Sequence, residues 1–373
     1  MKPNCLPTIV IALAAPAQAD WALNLPVGVT SISRSAYDLH MLALWICVGI
    51  GIVVFGTMAW SIVRHRKSRG AAASTFHENT RLEIAWTIAP LLILVAMAVP
   101  ATEALVAMHD TRAADLTIKV TGQQWRWRYD YVDSGVGFFS SLDQRSGEAS
   151  KRGAAVSPQA VDNYLLSVDT PLVVPVGKKI RFLTTATDVI HSWWVPDLGV
   201  KKDAIPGFVN EMWARIDEPG TYRGQCTELC GVGHAYMPIV LVAMEDADFQ
   251  AWLKDMQDKQ AREAAGADRL WSREELYAQG EQVYARVCVP CHQASGLGMP
   301  GIFPALKDSP VVKGSMATHI DRVMNGKPGT AMAAFATQLT DAEIAGVITY
   351  ERNAWGNRMG DLVQPAEVKL ARK

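Results

Sequence analysis

The residues with the most distinctive chemistry lie in one short stretch that contains Cys226, Cys230, His234 and Met237. Thiolate and thioether are soft ligands, and sets of soft ligands favour copper over magnesium or calcium. A mononuclear blue-copper site uses one cysteine, two histidines and a weak axial methionine. This stretch has a second cysteine, so its two thiolates could bridge two metal ions, and His191 offers a second imidazole.

Three other interpretations fit parts of this stretch. Cys226 and Cys230 could form a disulfide, because the chain has the features of an exported protein. The stretch could bind zinc, although zinc sites rarely include methionine and usually space their cysteines more closely. The four side chains could also be ordinary buried residues. Four ligand groups within twelve residues favour copper over these alternatives.

A second motif consists of Cys288, Cys291 and His292, which form the pattern Cys-x-x-Cys-His. Thiols at this spacing can add to the vinyl groups of haem, and the adjacent histidine becomes an iron ligand. A thioredoxin-like redox pair has the same cysteine spacing, but it belongs in a βαβ setting, whereas the sequence around this motif has helical character. The motif therefore predicts a covalently attached c-type haem.

The second axial ligand of an electron-carrying haem should be soft, and methionine raises the reduction potential. Met299 lies only seven residues after His292, which makes the opposite face of the haem hard to reach. Met332 lies forty residues after His292, in a segment that resembles the methionine loop of class I cytochromes c. We therefore expect Met332 to bind the iron in an all-α class I cytochrome c domain, and we interpret Met299, Met316 and Met324 as packing residues.

The bulk composition limits the function classes. The chain has 373 residues, enough for two or three domains, with 36 Lys and Arg against 37 Asp and Glu. A nucleic-acid-binding protein would have a surplus of basic residues, so we expect no nucleic-acid partner. Cys5 and Cys47 lie in apolar stretches, and the other four cysteines form two pairs, each near a histidine. This arrangement indicates metal or haem binding rather than a disulfide framework.

The N-terminal part of the chain predicts export and a membrane hairpin. Residues 1–19 have a positive start, a short apolar core and an Ala-x-Ala cleavage pattern, which are typical of a signal peptide. Residues 39–63 and 84–101 are apolar runs that can each span a bilayer. The loop between them is rich in arginine and lysine, which places it on the cytoplasmic side. We therefore expect the chain after about residue 107 to lie outside the cytoplasm.

Residues 115–245 predict a β-domain. Several short segments of alternating polarity are separated by turn signals, which is typical of a Greek-key sandwich or barrel. One strand alternates Trp125, Trp127, Tyr129 and Tyr131, which places these aromatics on one face. We interpret residues 133–161, rich in Gly, Ser and Ala, as a surface insertion. Residues 246–272 predict a short amphipathic helix followed by a linker.

At the cysteine stretch the sequence resembles subunit II of the haem–copper (aa-type) cytochrome c oxidases, here with a fused C-terminal cytochrome c domain. That family has the motif Cys-x-x-x-Cys-x-x-x-His-x-x-Met and an upstream histidine, and every position matches. The resemblance implies a cupredoxin-like Greek-key barrel that holds a dinuclear copper A centre. The copper ligands that it implies are His191, Cys226, Glu228 through its backbone carbonyl, Cys230, His234 and Met237.

The resemblance also implies three further roles. The Glu228 side chain would bind magnesium or manganese at the interface with subunit I, because such hard ions prefer carboxylate oxygen. Trp125, the first tryptophan of a Gln-Trp-x-Trp motif, would be the point at which electrons reach the copper domain. Glu83, three residues before Trp86, would lie at the entrance of a proton-uptake path; on physical grounds alone it is an interfacial carboxylate.

The function implied by the resemblance is electron transfer in a respiratory oxidase. Electrons would pass from a soluble or membrane-bound cytochrome c to the haem, then to the copper pair, and then to the dioxygen-reducing centre of subunit I, which pumps protons. The chain has eight histidines, none of them mid-membrane, so that centre must belong to a partner. We expect subunits I and III as partners, in the inner membrane of a bacterium, with the copper and cytochrome domains on the periplasmic side.

The expected organisation follows from these assignments. It consists of a signal peptide (1–19), an extracytoplasmic segment (20–37), a transmembrane helix (38–63), a cytoplasmic loop (64–81), a second transmembrane helix (82–107), the cupredoxin domain (108–247), a linker helix (248–272), the cytochrome c domain (273–360) and a tail (361–373).

Two other functions compete with the oxidase assignment. Nitrous oxide reductase also uses a dinuclear copper site, but it resembles this chain only in the cysteine stretch and needs many more histidines. A membrane-anchored carrier could store copper or relay electrons without a catalytic partner. Co-purification with a large haem-containing subunit would favour the oxidase.

Overall fold

The structure is a computed structural model that describes residues 24–72, 77–151, 153–266, 269–336 and 338–372. The predicted signal peptide lies outside these residues. The α-helices are α1 (Ser31–Arg64), α2 (Thr80–His109), α3 (Gln144–Ala149), α4 (Asp246–Gly266), α5 (Arg273–Val283), α6 (Val289–His292), α7 (Met316–Asn325), α8 (Asp341–Asn353) and α9 (Pro365–Ala371). The strands are β1 (Leu116–Gln123), β2 (Arg126–Tyr131), β3 (Gly137–Ser140), β4 (Leu172–Pro175), β5 (Ile180–Ala186), β6 (His191–Val195), β7 (Val200–Ala204), β8 (Asn210–Ala214), β9 (Gly220–Cys226) and β10 (Pro238–Met244).

Helices α1 and α2 are the two described helices that are long and apolar enough to cross a membrane. Their apolar side chains are largely exposed, as lipid-facing side chains are. Each helix has a polar N-cap: the Thr30 side chain accepts a hydrogen bond from the Ser33 amide, and that of Asn79 accepts from Arg81 and Leu82. The predicted hairpin is confirmed, although α1 begins before residue 38, the expected start of the first span.

The first turn of α1 packs against the β-domain. Thr30 Oγ1 donates to the Leu198 carbonyl at 2.8 Å, and Thr30 and Ser33 are buried. Gly199 adopts a positive φ of 67°, and a Cβ there would lie 2.6 Å from Ser33 Cα. Only glycine permits both this conformation and this close approach. The start of the membrane helix is therefore a packed part of the β-domain.

The β-domain consists of two five-stranded sheets, with strand orders β3-β2-β1-β5-β8 and β4-β10-β9-β6-β7. β1 pairs with β5 and β4 with β10 in parallel, whereas β5–β8, β6–β7, β6–β9 and β9–β10 are antiparallel. Side chains of both sheets meet in the core, where Phe182 of β5 stacks on Trp193 of β6 at 5.1 Å. The predicted cupredoxin-like β-domain is confirmed.

Two details of this domain differ from the sequence interpretation. Trp125 precedes β2, so only Trp127, Tyr129 and Tyr131 form the buried aromatic face of the strand. The interpretation of residues 133–161 as a surface insertion was wrong in part. Residues 137–140 form β3, the edge strand of the first sheet, and Ser140 is buried. Glycine and serine in that segment concealed the strand, because both residues are typical of loops.

Residues 128–139 and those after 244 form a second compact unit. Within this unit, aromatic side chains of α4 pack against the end of β2 and against β3. Trp252 lies 5.4 Å from Tyr131 and 6.1 Å from Phe138, between ring centroids, and Phe249 stacks on Trp252. The amphipathic helix predicted here is therefore observed, and its apolar side is buried by aromatic packing.

The remainder of the second unit is a helical bundle around one apolar core. α5 and α8 cross where two glycines meet, and a Cβ on Gly280 would lie 2.0 Å from the Gly346 carbonyl oxygen. Tyr284 and Tyr350 pack beside this crossing at 5.4 Å. Val363 and Val368, in the segment expected to be a tail, are fully buried in the same core. The helical domain is confirmed, and its core extends past residue 360.

Candidate metal centre and haem-attachment segment

Two strands and one loop bring the predicted metal ligands together. His191 is the first residue of β6, and Cys226 is the last residue of β9. The two strands are antiparallel neighbours with Trp193 opposite Cys226, so the imidazole and the first thiol lie at the same end of the sheet. Cys230, His234 and Met237 follow in the loop between β9 and β10. We call His191, Cys226, Cys230, His234 and Met237 the thiol cluster.

The ligand atoms of the thiol cluster lie close to one another. Cys226 Sγ is 3.9 Å from Cys230 Sγ and 4.0 Å from His191 Nδ1. Cys230 Sγ is 3.5 Å from both His234 Nδ1 and Met237 Sδ. The Glu228 carbonyl oxygen lies 3.3 Å from Cys226 Sγ. The other four predicted ligand groups therefore each lie within 4.0 Å of one of the two cysteine sulfurs.

These distances distinguish between the interpretations of the two cysteines. A disulfide requires about 2.05 Å between its sulfurs, so the thiols are not bonded to each other. A metal–thiolate bond is about 2.3 Å long, so two sulfurs 3.9 Å apart can bind the same metal ions. The soft donor set, with two thiolates, two imidazoles and a thioether, fits a pair of copper ions.

Four of the five side chains of the cluster are buried, His234 is partly exposed, and one thiol is readily ionised. His191 is fully buried, and Cys226, Cys230 and Met237 are at most 3% exposed. The hydrogen bond from Cys230 lowers the pKa of Cys226 below its ordinary value, against the opposing effect of burial. The same contact raises the pKa of Cys230. Because a thiolate is the form that binds metal, Cys226 is ready to do so, and binding of a metal would displace the proton from Cys230.

Asp188 orients His191 from outside the cluster. Its Oδ1 lies 2.9 Å from His191 Nε2, which leaves Nδ1 to face the thiols. Burial by itself lowers the pKa of His191, but Asp188 and then Cys226 outweigh it, so that this pKa is raised. Metal-binding histidines usually have such a carboxylate or carbonyl partner on the second nitrogen. The sequence interpretation missed Asp188, although its place three residues before a candidate ligand was an available signal.

Two tryptophans contact the backbone of the ligand loop. Trp125 Nε1 donates to the Cys230 carbonyl at 3.2 Å, and a Cβ at Gly233 would lie 2.2 Å from the Trp125 ring. Trp127 Nε1 donates to the Met237 carbonyl at 3.1 Å. Trp127 is fully buried, whereas Trp125 is partly exposed. Of these two tryptophans, Trp125 is therefore the one that links the ligand loop to the surface.

The two predicted acidic site residues lie outside the thiol cluster. Glu228 is exposed, and only its backbone carbonyl approaches the sulfurs. Glu83 lies in the first turn of α2 and is exposed at the end of the helix that starts at Thr80. The described contacts connect neither carboxylate to a further ligand.

The candidate haem-attachment segment, residues 288–292, also has a defined local geometry. A π-helical turn, Tyr284–Cys288, runs into α6, which ends at His292. His292 Nδ1 lies 3.0 Å from the Pro304 carbonyl, so its Nε2 is left for a metal. Cys288 and Cys291 are not joined in a disulfide, and burial raises the pKa of Cys291. Two separate thiols next to one oriented imidazole fit covalent attachment of haem.

The predicted second axial ligand lies in a loop after α7. The Met332 carbonyl accepts from the Lys327 amide at 3.0 Å, and its own amide donates to Thr330 Oγ1. The Met332 side chain is partly exposed, and no described contact joins it to His292. Met324, by contrast, is 3% exposed in the apolar core, as expected for a packing residue.

Comparison with known proteins gives separate family matches for the membrane helices, the β-domain and the helical bundle. Residues 116–244 match the family model described as the periplasmic domain of cytochrome c oxidase subunit II, and residues 18–103 match that of its transmembrane domain. Residues 275–350 match subunit III of cbb3-type cytochrome c oxidase.

Curated relatives extend the likeness over most of the chain. Cytochrome c oxidase subunit 2 of Cereibacter sphaeroides is 39% identical over 235 residues, which cover 60% of this chain and 78% of the relative. The protein of the same name from Alkalihalophilus pseudofirmus is 30% identical over 335 residues, which cover 85% of this chain and 86% of the relative. The solved periplasmic domain of subunit II from Bradyrhizobium japonicum is 42% identical, with a TM-score of 0.34, over 40% of this chain and 98% of that domain. The chain therefore belongs to the cytochrome c oxidase subunit 2 family, whose members are components of the oxidase, and it has a cytochrome c-like domain in addition.

Proposed function

We propose that this chain is the electron-transfer subunit of a terminal respiratory cytochrome c oxidase, with a dinuclear copper A centre and a covalent haem c. The observation that carries the proposal is that the Cys226 and Cys230 sulfurs lie 3.9 Å apart with the other four predicted ligand groups around them. When bound, the copper pair and the haem would supply sites that accept and release single electrons. The protein supplies the ligands, their orientation and the exclusion of water.

The thiol cluster is suited to electron transfer rather than to substrate chemistry. Its five side chains come from two strands and a short loop, so they are held by backbone hydrogen bonds on both sides. Burial of Cys226, Cys230 and Met237 keeps water from the sulfurs. A site held rigidly in this way needs little rearrangement when its charge changes, which is the requirement for fast electron transfer.

The residues around the cluster have distinct proposed roles. Trp125 would pass electrons to the cluster, because its indole donates to the Cys230 carbonyl and reaches the surface. Glu228 would bind magnesium or manganese through its exposed carboxylate while its carbonyl faces the copper. A Glu228→Gln variant of the complex should lose the bound divalent ion and keep its copper.

In the helical bundle, Cys288 and Cys291 would hold the haem covalently, and His292 and Met332 would bind its iron. Met332→Ala should abolish the low-spin, methionine-ligated spectrum, whereas Met324→Ala should keep that spectrum and lower the stability by about 2–5 kcal/mol, as for other buried methionines. Persistence of the methionine-ligated spectrum in Met332→Ala would contradict the assignment.

The proposed partners are subunits I and III of the oxidase and a soluble or membrane-bound cytochrome c. The dioxygen-reducing centre and proton pumping would reside in subunit I, with Glu83 at the entrance of a proton path. The complex would lie in the inner membrane of a bacterium, with the β-domain and the helical bundle in the periplasm. Unchanged turnover and proton uptake in Glu83→Ala would remove that residue from the path.

The test is metal analysis with optical and paramagnetic-resonance spectra of the complex purified from native membranes. We expect two coppers per chain of this subunit with one unpaired electron shared between them, and a c-type haem. Cys226→Ser and Cys230→Ser should each lose this signal, whereas Cys47→Ser, an exposed cysteine of α1, should keep it. One copper per β-domain, or none, would refute the assignment, as would purification without a large haem-containing subunit.

A further inference from the structure

A tryptophan of the helical bundle makes the same two contacts with the loop after the haem-attachment segment that Trp125 makes with the ligand loop. Trp355 Nε1 donates to the Ala294 carbonyl at 2.9 Å, two residues after His292. A Cβ on Gly296, whose φ is 67°, would lie 2.5 Å from the Trp355 ring, so only glycine permits this approach. Trp355 has no part in attaching haem or binding iron in the function proposed above.

Each candidate redox site has one buried and one partly exposed aromatic donor to a loop carbonyl. At the ligand loop these are Trp127 and Trp125. In the helical bundle the buried donor is Tyr284, which is 2% exposed and donates through its hydroxyl to the Gln293 carbonyl at 2.7 Å. The partly exposed donor is Trp355, whose ring centroid lies 4.8 Å from that of Tyr284. Because Tyr284 already fixes this backbone from inside, holding the loop does not by itself require an indole at the surface.

Trp355 also has an uncommon backbone conformation. Its φ of 53° lies in the left-handed region, which bulky side chains rarely adopt. Such a conformation costs free energy, persists where the surrounding structure fixes it, and is found most often at functional sites. The turn after α8, which ends at Asn353, therefore places the indole on the loop after His292 despite backbone strain.

The indole connects the surface with the buried imidazole. His292 is 8% exposed, whereas the Trp355 side chain is partly exposed. One hydrogen bond to Ala294 and two residues of backbone join the indole to His292. Leu297, the residue after the glycine under the ring, is 57% exposed, so an apolar side chain lies in the same surface loop. Encounters between electron-transfer proteins bury little area, so one indole and its neighbours are a sufficient contact.

We propose that Trp355 is the residue through which an electron from a partner c-type cytochrome enters the helical bundle. The partner's haem iron is oxidised from Fe(II) to Fe(III), and the iron bound to His292 is reduced from Fe(III) to Fe(II). No bond forms or breaks, and no proton is transferred. The path consists of the indole, its hydrogen bond to the Ala294 carbonyl and the backbone to His292. This inference rests on the proposed function, because it requires a haem in the bundle.

The first test is the steady-state oxidation of a reduced soluble class I cytochrome c by the purified complex, with the donor in excess. Trp355→Leu should lower kcat/KM roughly 10–100-fold, because removal of the ring breaks the contact and lengthens the path. Oxidation of a small diffusible reductant, which needs no docking surface, should keep the wild-type rate. The midpoint potential and the low-spin spectrum of the c-type haem should also be unchanged.

A second readout isolates the arrival of the electron in the bundle. A soluble class I cytochrome c in which zinc replaces iron is excited by a laser flash. Its triplet state gives one electron to the oxidised haem of the bundle, and the zinc porphyrin becomes a cation. Decay of the triplet through this transfer should also slow in Trp355→Leu. An unchanged decay with a lower kcat/KM would place Trp355 on the path out of the bundle and would overturn the entry role.

Two substitutions in the same bundle serve as controls. Trp271→Leu makes the same chemical change at another partly exposed tryptophan. Tyr284→Phe removes the hydrogen bond to the neighbouring Gln293 carbonyl and keeps the ring. Both variants should keep the wild-type kcat/KM. Trp355→Phe also keeps a ring and should lower kcat/KM through loss of the bond to Ala294, so it decides the matter if Trp355→Leu does not assemble.

The outcomes separate the two proposals. The entry role would be overturned by an unchanged kcat/KM in both Trp355 variants, by an equal fall in Trp271→Leu or Tyr284→Phe, or by a shifted haem potential in the Trp355 variants. Each of these results would leave the oxidase assignment intact. A complex without a c-type haem spectrum would instead overturn the proposed function.

Discussion

Replacing Asp188 with asparagine should weaken copper binding, although Asp188 is not a predicted ligand. Its carboxylate lies 2.9 Å from His191 Nε2 and accepts hydrogen bonds from the backbone N–H groups of Gln124 and Val189, each at 2.7 Å. Asparagine has one acceptor oxygen, so its NH₂ group must face at least one of these donors. Either His191 loses its orientation or a backbone N–H loses its partner.

The size of the effect can be estimated in two ways. A hydrogen bond to a charged group contributes about 1.5–3 kcal/mol. Loss of the carboxylate behind a metal-binding histidine typically lowers metal affinity about 10–100-fold, which corresponds to about 1.4–2.7 kcal/mol. The ranges agree, and the full burial of His191 keeps water from replacing the lost acceptor. We therefore expect copper affinity to fall roughly 10–100-fold.

The assay is copper retention in the purified complex after equilibration with graded concentrations of a copper chelator, measured by metal analysis. Asp203→Asn is the matched control, because Asp203 accepts from Ser192 Oγ at 2.7 Å, one residue from His191, without touching the thiol cluster. Equal retention in Asp188→Asn and the wild type would refute the reasoning. An equal loss in Asp203→Asn would attribute the effect to general damage of the strand.

Three further substitutions test other contacts. Gly233→Ala places a Cβ 2.2 Å from the Trp125 ring. Displacement of the ring should slow electron transfer from cytochrome c roughly 10–100-fold and leave the copper spectrum unchanged. As a control, Gly147→Ala should have no effect, because its Cβ would meet no atom within 4 Å. Gly280→Ala should destabilise the helical bundle by about 1–3 kcal/mol through overpacking at the helix crossing, and an unchanged thermal midpoint would contradict this. Asp361→Asn should cost about 1 kcal/mol at neutral pH, a value discounted because the side chain is one-third exposed. The Arg352 guanidinium bonded to that carboxyl lowers its pKa. The contribution of the contact to the free energy of unfolding is therefore present at neutral pH and lost on acidification below about pH 4. A difference in unfolding free energy between variant and wild type that persisted at low pH would exclude this contact as its cause.

Most of the candidate ligands could be named from the sequence because they lie close together in the chain. Cys226, Cys230, His234 and Met237 fall within twelve residues, and Cys288, Cys291 and His292 within five. His191, on another strand, was named because a second imidazole was needed. The membrane helices were predictable for the same reason, since a long apolar run needs no tertiary information. What these features share is that the residues that act together are neighbours in the chain.

The features that were not predicted depend on distant partners. Glu351 on a helix ordinarily indicates a solvated face, and only the packing of α7 against α8 shows that it is buried against His319. Residues 137–140 form a strand because a neighbouring strand pairs with them, not because of their own β-propensity. The burial of Val368 likewise follows from packing against α8 and could not be read from a short terminal segment.

The buried first turn of α1 bears on how the β-domain can be isolated. Residues 29–33 precede the lipid-facing part of the helix, yet the amide of Val29 donates to Asp197 and its carbonyl accepts from Asp217. A water-soluble fragment that began after the second span would uncover those partners, and Ile32 would no longer fill its place in the interior. Expression of the domain alone should therefore succeed best when residues 24–34 are appended. In the intact chain the same contacts join the β-domain that holds the thiol cluster to the start of a membrane helix, so the distance of the cluster from the lipid is set by that helix rather than by a flexible linker.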